Sequence, residues 1–460
     1  MNGHTHSCHS SQRSKSGLRS KRIARGAAVA MLVAAATGAS AAETPTLPQQ
    51  GGGDHLGVAT CAGSTCHGSA EPLDAAPVLQ NEYLTWHRRD AHARAYETLH
   101  SDRSERIARQ LGLGPAHEAD TCLDCHADNV PEDRRGRGFQ IADGIGCEAC
   151  HGGAENWIRS HVSGEASHGD NVARGMYPTD QPGPRADLCL SCHYSHPDTD
   201  MTHRIMAAGH PPLQFELATF SRIQPPHYAV DEDYRARKAA PSAARIWAVG
   251  QLRDARTVLG KLRDDLYRAG LFPELYYFDC NACHHDFGAT DWVSRPVGNL
   301  EPGSVRLEDA SLRMASHLLA VLDPELARRW AVGLDELHDA TAEDAATVRA
   351  AADRLYAVAD AAGAHLEANG LADRSVVRAM DRIVAAGRRN DFGDRTSSDQ
   401  TAMALAALMT TAREDALLPP GRLERLESAL DRIYAALEKP RDYSPWRYRE
   451  ALRSFAEGLP

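Results

Sequence analysis

Large aromatic side chains are scarce. The chain has 8 Phe, 6 Trp and 13 Tyr among 460 residues, 6% in all. That length allows two or three domains, yet their cores must be built with few of the usual large fillers. No apolar run approaches twenty residues and the mean hydropathy is −0.45, which excludes a multi-span membrane protein. Basic charge is not in excess either. With 51 Lys and Arg against 62 Asp and Glu, the formal net charge is −11, which excludes the basic face that a nucleic-acid partner requires. What the chain does have is 11 Cys and 23 His. They crowd into one half: most histidines lie between His55 and His285, and no cysteine follows Cys283. Something other than Phe and Trp is expected to fill that half.

The N-terminus reads as an export label. Arg13, Lys15, Arg19, Lys21, Arg22 and Arg25 precede an apolar stretch from Gly26 to Gly38, and Ala39-Ser40-Ala41-Ala42 follows. The stretch is short for a membrane span. The layout therefore predicts a secretory signal over residues 1–42, cleaved after Ala41 or Ala42, a periplasmic mature protein and no membrane span after cleavage. Residues 43–54 read as a linker.

An exported chain that retains ten cysteines would ordinarily suggest disulfides, but the spacing points elsewhere. The cysteines fall into five pairs, each followed at once by histidine: Cys61-Ala-Gly-Ser-Thr-Cys66-His67, Cys122-Leu-Asp-Cys125-His126, Cys147-Glu-Ala-Cys150-His151, Cys189-Leu-Ser-Cys192-His193 and Cys280-Asn-Ala-Cys283-His284. Four are C-x-x-C-H, the attachment signal of c-type haem, and the first is a stretched form of it. Two thiols at this spacing reach the two vinyl groups of one porphyrin, and the next residue offers its imidazole to the iron. A zinc site or a redox dithiol also uses paired cysteines. Tetrathiolate zinc takes pairs two at a time and would leave one over, and neither alternative asks for a histidine directly after the second cysteine. Five haem c groups are the expected cofactors, and their flat apolar bodies would supply the missing core.

The remaining histidines decide what such irons do. A second imidazole closes an iron for electron transfer, whereas an open iron can bind and reduce a small molecule. His161 lies ten residues after His151 in a short helical pattern, about 15 Å away if helical throughout, so it is expected to serve a different haem. His92 shares a face with Tyr96 and Leu99 on a helix expected after Trp86, with His87 pointing away. His203 and His210 lie about two turns apart, with Gly209 as a C-cap signal and Pro211 as a stop. His87, His100, His117 and His196 read as ordinary polar positions, and His285 as a neighbour of the ligands.

Trp86 with His92-Ala-Arg-Ala-Tyr96-Glu-Thr-Leu99, Asp143-Gly-Ile-Gly-Cys147-Glu-Ala-Cys150-His151-Gly-Gly-Ala-Glu155, and Met206-Ala-Ala-Gly-His210-Pro211 before Phe215-Glu-Leu resemble the cytochrome c-554/c-prime family of multihaem cytochromes. The resemblance covers roughly residues 55–290. It implies a mostly helical periplasmic protein with closely stacked haems and largely bis-histidine irons. Carried over position by position, it favours His92, His161, His168, His203 and His210 as the distal ligands. The fifth Cys pair and the long C-terminal tail depart from the tetrahaem type member.

Beyond Cys283 the pattern changes to amphipathic helices. Asp323-Pro324 reads as an N-cap and first turn before Leu326, Trp330, Leu334 and Leu337. Thr341 and Asp344 resemble a capping box, Ser397 and Gln400 open another helix, and Leu423, Leu426, Leu430, Ile433 and Leu437 line a last one. The fold class expected is mainly α: a multihaem cytochrome c domain with little regular sheet over 55–290, then a helical bundle of four or five helices over 304–460, joined near Asp291–Gly303. The function expected is a periplasmic electron carrier working between redox partner proteins. The alternative is a multihaem oxidoreductase acting on a small nitrogen or sulfur oxyanion at an open iron. No Lys stands in a C-x-x-C-K string.

Overall fold

Helix caps set the local structure of the C-terminal half. The Asp323 carboxylate accepts from the backbone N–H groups of Glu325 (2.8 Å) and Leu326 (2.9 Å). It thereby opens the helix Pro324–Ala340, which buries Leu326, Trp330, Leu334 and Leu337. Asp344 caps the next helix, Ala345–Asn369, through the Thr347 N–H (2.9 Å). Thr341 takes no part in that cap; its hydroxyl donates to the His338 carbonyl (2.7 Å) at the end of the helix before. Ser397 and Gln400 lie inside the helix Arg395–Glu414 rather than at its start, because Asp394 accepts from the Ser397 N–H. After Pro420–Leu437 comes a helix the apolar stripe had not announced, Pro445–Gly458, which buries Tyr448, Leu452 and Phe455.

The computed structural model describes residues 45–73, 78–195, 201–264, 274–280, 283–284, 299–301, 304, 306–389, 391–439 and 443–460. The expected signal over 1–42, His196, His285 and most of the expected junction at 291–303 fall outside them. The described residues are mainly α-helical and contain no strand, only isolated bridges between His55 and Arg135 and between Phe278 and Leu307. Among them no helix is long and apolar enough to cross a membrane.

The longest element outside the C-terminal half, Ala243–Asp264, is the meeting point of the molecule. It packs on Ala310–Leu322, Ala345–Asn369 and Arg395–Glu414, and also on Pro182–His193, the helix that ends in the fourth Cys-Cys-His string. Its Trp247, Leu252, Leu259 and Leu262 belong to the same large core as Trp330, Leu355, Leu405 and Phe455. That core extends from Ala218 to Leu459, and residues 44–460 form one compact unit.

The half that carries the strings is built differently. Its helices are short, and its own apolar clusters are small: Leu99, Ala108, Ala116, Leu123 and Ala127 in one, and Ala186, Leu190, Phe215 and Leu217 in another. The helix expected to run from Trp86 through Leu99 is broken. Glu82–Arg89 ends at Asp90, whose carboxylate accepts from the His92 N–H (3.1 Å) and starts a separate turn, Ala91–Arg94. Backbone-to-backbone contact replaces side-chain packing in places. Gly57 has φ +94°, and a Cβ there would stand 2.2 Å from the Gly138 carbonyl oxygen.

Residues 45–54, expected to be a linker, are tied down through His55. This fully buried side chain sets Nδ1 2.7 Å from Asp128 Oδ2 and Nε2 3.3 Å from the Pro48 carbonyl. Arg134 adds bonds to the Gln49 (2.9 Å) and Gly53 (2.7 Å) carbonyls. Both partners of His55 are acceptors, so both ring nitrogens must carry protons, which makes the group an imidazolium. Burial lowers its pKa, but the hydrogen bond and charge of Asp128, with Glu148 and the Pro48 carbonyl, outweigh burial and raise it. A raised pKa gives stability that is complete below the unfolded value of about 6.5 and is lost as pH rises through the folded one. His55→Asn should therefore cost about 1–3 kcal/mol at pH 6, and the gap from wild type should shrink at pH 9. Melting curves at the two pH values check this; a gap that does not change with pH contradicts it.

Candidate haem-binding site

The Cys-x-x-Cys-His strings sit on or at the ends of short helices: Asp120–His126, Cys147–His151 and Pro182–His193 carry the second, third and fourth. A helix places residues one turn apart on one side, so both thiols and the histidine of these three strings face a common region. The strings also meet in twos. The segment Val58–Cys61, which ends in the first cysteine of string one, packs on Cys147–His151. Asp120–His126 packs on Pro182–His193, and the Cys192 thiol approaches the Asp124 carbonyl (3.7 Å). Strings one and three are therefore neighbours, as are two and four. Cys280, Cys283 and His284 of the fifth string are exposed.

Each of the five string histidines has another imidazole across from it. The ring centres of His67 and His161 are 5.9 Å apart, of His126 and His210 6.4 Å, and of His151 and His227 6.4 Å. His193 and His92 stand at 6.1 Å, and His284 and His203 at 6.2 Å. Two imidazoles bound on opposite sides of one metal, with metal–nitrogen bonds of about 2 Å, have centres roughly 6 Å apart. All five separations fit a single interposed iron, and none matches the contact distance of directly stacked rings. The contrast is visible in the same chain: His100 and His117 stack on each other at 4.2 Å.

Hydrogen bonds orient the rings for this task. Nδ1 of His67 faces Glu82 (3.0 Å), Nδ1 of His92 faces Asp90 (2.8 Å), Nδ1 of His126 faces the Ala95 carbonyl (3.1 Å) and Nδ1 of His210 the Pro211 carbonyl (2.8 Å). In each ring Nε2 is left to act as a ligand, and a carboxylate or carbonyl on Nδ1–H fixes the tautomer and strengthens the donor. Burial, with the neighbouring His227 and Lys238, holds His151 down at about 3, and burial with His92 holds His193 at about 4. Both are neutral imidazoles at pH 7 with a lone pair to give.

The structure does not bring His168 to any string histidine. Its Nε2 lies 3.0 Å from Asp180 Oδ1, and the position opposite His151 is held by His227. Sequence reasoning had not singled out His227. A signal was available, since Pro225-Pro226 immediately precedes it and stiffens the chain in the way Pro211 does after His210.

Glu148, inside the third string, is a second residue whose role the spacing hid. Its buried carboxylate accepts from the Leu56 (2.8 Å), Gly57 (2.6 Å) and Ala154 (2.7 Å) N–H groups. It thus fastens the approach to the first string onto the third. Glu148→Ala leaves three donors without their acceptor and should cost about 3 kcal/mol or more, read by denaturant unfolding; Glu148→Gln, which keeps one acceptor oxygen, should cost less. A loss under 1 kcal/mol for the alanine variant would contradict this role.

Residues 60–152 match the family described as cytochrome c554 and c-prime, a span that holds the first three strings. No curated protein and no solved structure matches the chain. That match lies across three Cys-Cys-His strings whose imidazoles are spaced for iron, and it supports a c-type cytochrome of electron transfer.

Proposed function

We propose that the chain is an exported pentahaem electron carrier. The thiols of Cys61 and Cys66, Cys122 and Cys125, Cys147 and Cys150, Cys189 and Cys192, and Cys280 and Cys283 would each hold one haem by thioether bonds. The axial pairs would be His67 with His161, His126 with His210, His151 with His227, His193 with His92, and His284 with His203. When bound, each haem supplies a one-electron couple. The protein's own part is to turn these rings, through the bonds on Nδ1 of His67, His92, His126 and His210, to hold His151 and His193 neutral and to place charge around them.

The single observation that carries this reading is that all five string histidines face a second imidazole at 5.9–6.4 Å. An oxyanion-reducing enzyme needs a string histidine with an open opposite side. His168 turning to Asp180 would have provided one, but His227 stands in that place. Neither a tetrathiolate zinc site nor a redox dithiol asks for the histidine that directly follows each cysteine pair. Export rests on the layout of residues 1–42, and the partners would be redox proteins of the same compartment.

Expression in a host equipped for cytochrome maturation tests the reading. The mature chain should exceed its bare mass by five haem groups, and its electron paramagnetic resonance should show only low-spin iron. His227→Ala should convert one of the five irons to high spin, while His168→Ala should leave all of them low-spin. A wild-type high-spin signal, or a spectral shift on adding nitrite, hydroxylamine or carbon monoxide, would instead favour the enzyme. A bare-chain mass would end both readings.

A further inference from the structure

The imidazole pairs leave one half-buried cation beside them without a role. Lysine occurs at only five positions, 15, 21, 238, 261 and 439; arginine supplies the rest of the basic charge. Lys238 ends the short helix Glu232–Arg237, where its N–H donates to the Tyr234 carbonyl (2.8 Å) and its Nζ lies 5.2 Å from the centre of the Tyr234 ring. The next N–H, of Ala239, donates to Asp180 Oδ2 (3.1 Å), and Asp180 holds His168 through its other oxygen (3.0 Å). His168 opens the helix His168–Ala173, which packs on Ile158–Ser163, the helix that carries His161. These contacts bring the ammonium beside two imidazole pairs: the helix of His161 packs on that of His168, and Tyr177, three residues before Asp180, donates its N–H to the His151 carbonyl (2.8 Å), so the charge bears on His67 and His161 of the first and on His151 of the third. It also faces Glu82, the carboxylate that orients His67. Asp180, Asp233 and Arg237 are its other charged neighbours.

We propose that Lys238 sets the reduction potential of the first and third haem sites, holding both higher than the surrounding carboxylates alone would allow. The inference rests on the reading of these pairs as iron ligands. Its physics is Coulomb's law: each site takes up one electron from an external reductant, and a fixed positive charge nearby favours the reduced state in a partly dry setting. Strings one and three are neighbours, so one side chain acts on both. It is a positioning charge and touches no reacting atom.

Potentiometric titration of the haem-loaded full chain, followed by visible absorbance, is the test. In Lys238→Met two of the five components should move to lower potential. At fixed potential their reduced-to-oxidised ratio should fall roughly threefold, a shift of about 28 mV at 59 mV per decade for a one-electron couple. Lys238→Arg, which keeps the charge, should titrate as wild type, and so should Lys439→Met at an exposed position. If Lys238→Met loads haem poorly, Lys238→Gln is measured in its place. A fully loaded neutral variant whose curve coincides with wild type overturns the inference and leaves the pentahaem reading standing. A wild-type chain without covalent haem overturns both.

Discussion

The spacing between opposed imidazoles governs everything else in the first half of the chain. Rings with centres about 6 Å apart are not in stacking contact, and four of them, His67, His92, His126 and His210, are turned by a bond on Nδ1. The two apolar clusters there hold five and four fully buried residues, several of them alanine. Clusters that small do not stabilise roughly 150 residues, given that each ordered residue costs about 1–2 kcal/mol of backbone entropy. The small size of these clusters and the spacing of the histidines are thus two signs of one arrangement, in which a bound flat group takes the place of a side-chain core. Each histidine pair also joins distant parts of the chain, as His193 with His92 and His284 with His203, and so does work that long-range apolar contacts do elsewhere.

Much of this was legible in the sequence, and the reasons differ by region. Spacing within five residues is a local property, so the Cys-Cys-His strings could be read directly. Apolar periodicity is local too, and Leu326, Trp330, Leu334 and Leu337 lie buried on one helix as their spacing requires. Helix starts were less secure. Asp394, not Ser397, caps its helix, because several Ser, Thr and Asp residues in a row offer competing caps and only the fold chooses. The helix Pro445–Gly458 was missed since its apolar residues, Tyr448, Leu452 and Phe455, are spread among arginines.

Distal histidines are harder still, because the partner of a string histidine can come from anywhere in the chain. His168 lay in a reasonable position, yet a carboxylate at 3.0 Å competes for its Nε2, and nothing in the sequence near it announces Asp180. His227 lies in an irregular stretch with no periodicity to mark it. Glu148 looked like a spacer inside C-x-x-C-H, and two of its three backbone bonds depend on Leu56 and Gly57, some ninety residues earlier. Residues that hold two distant segments together have no signature in either segment alone.

The helix Ala243–Asp264 explains why the C-terminal helices accompany such a protein at all. One of its faces belongs to a conventional core with Trp330, Leu355 and Leu405, and another lies on Pro182–His193, which ends in a string histidine. A helix fixed by extensive apolar burial on one side is a rigid support for whatever packs on the other. Tyr276 extends the same support: its hydroxyl donates to the Tyr194 carbonyl (3.0 Å), next to His193, and it lies four residues before Cys280. The bridge between Phe278 and Leu307 then ties that approach to the C-terminal helices. The fourth and fifth strings are the two outside the family match, and they are the ones this support reaches. A string on short helices has few neighbours to position it, and a core made of ordinary leucine and alanine helices meets that need.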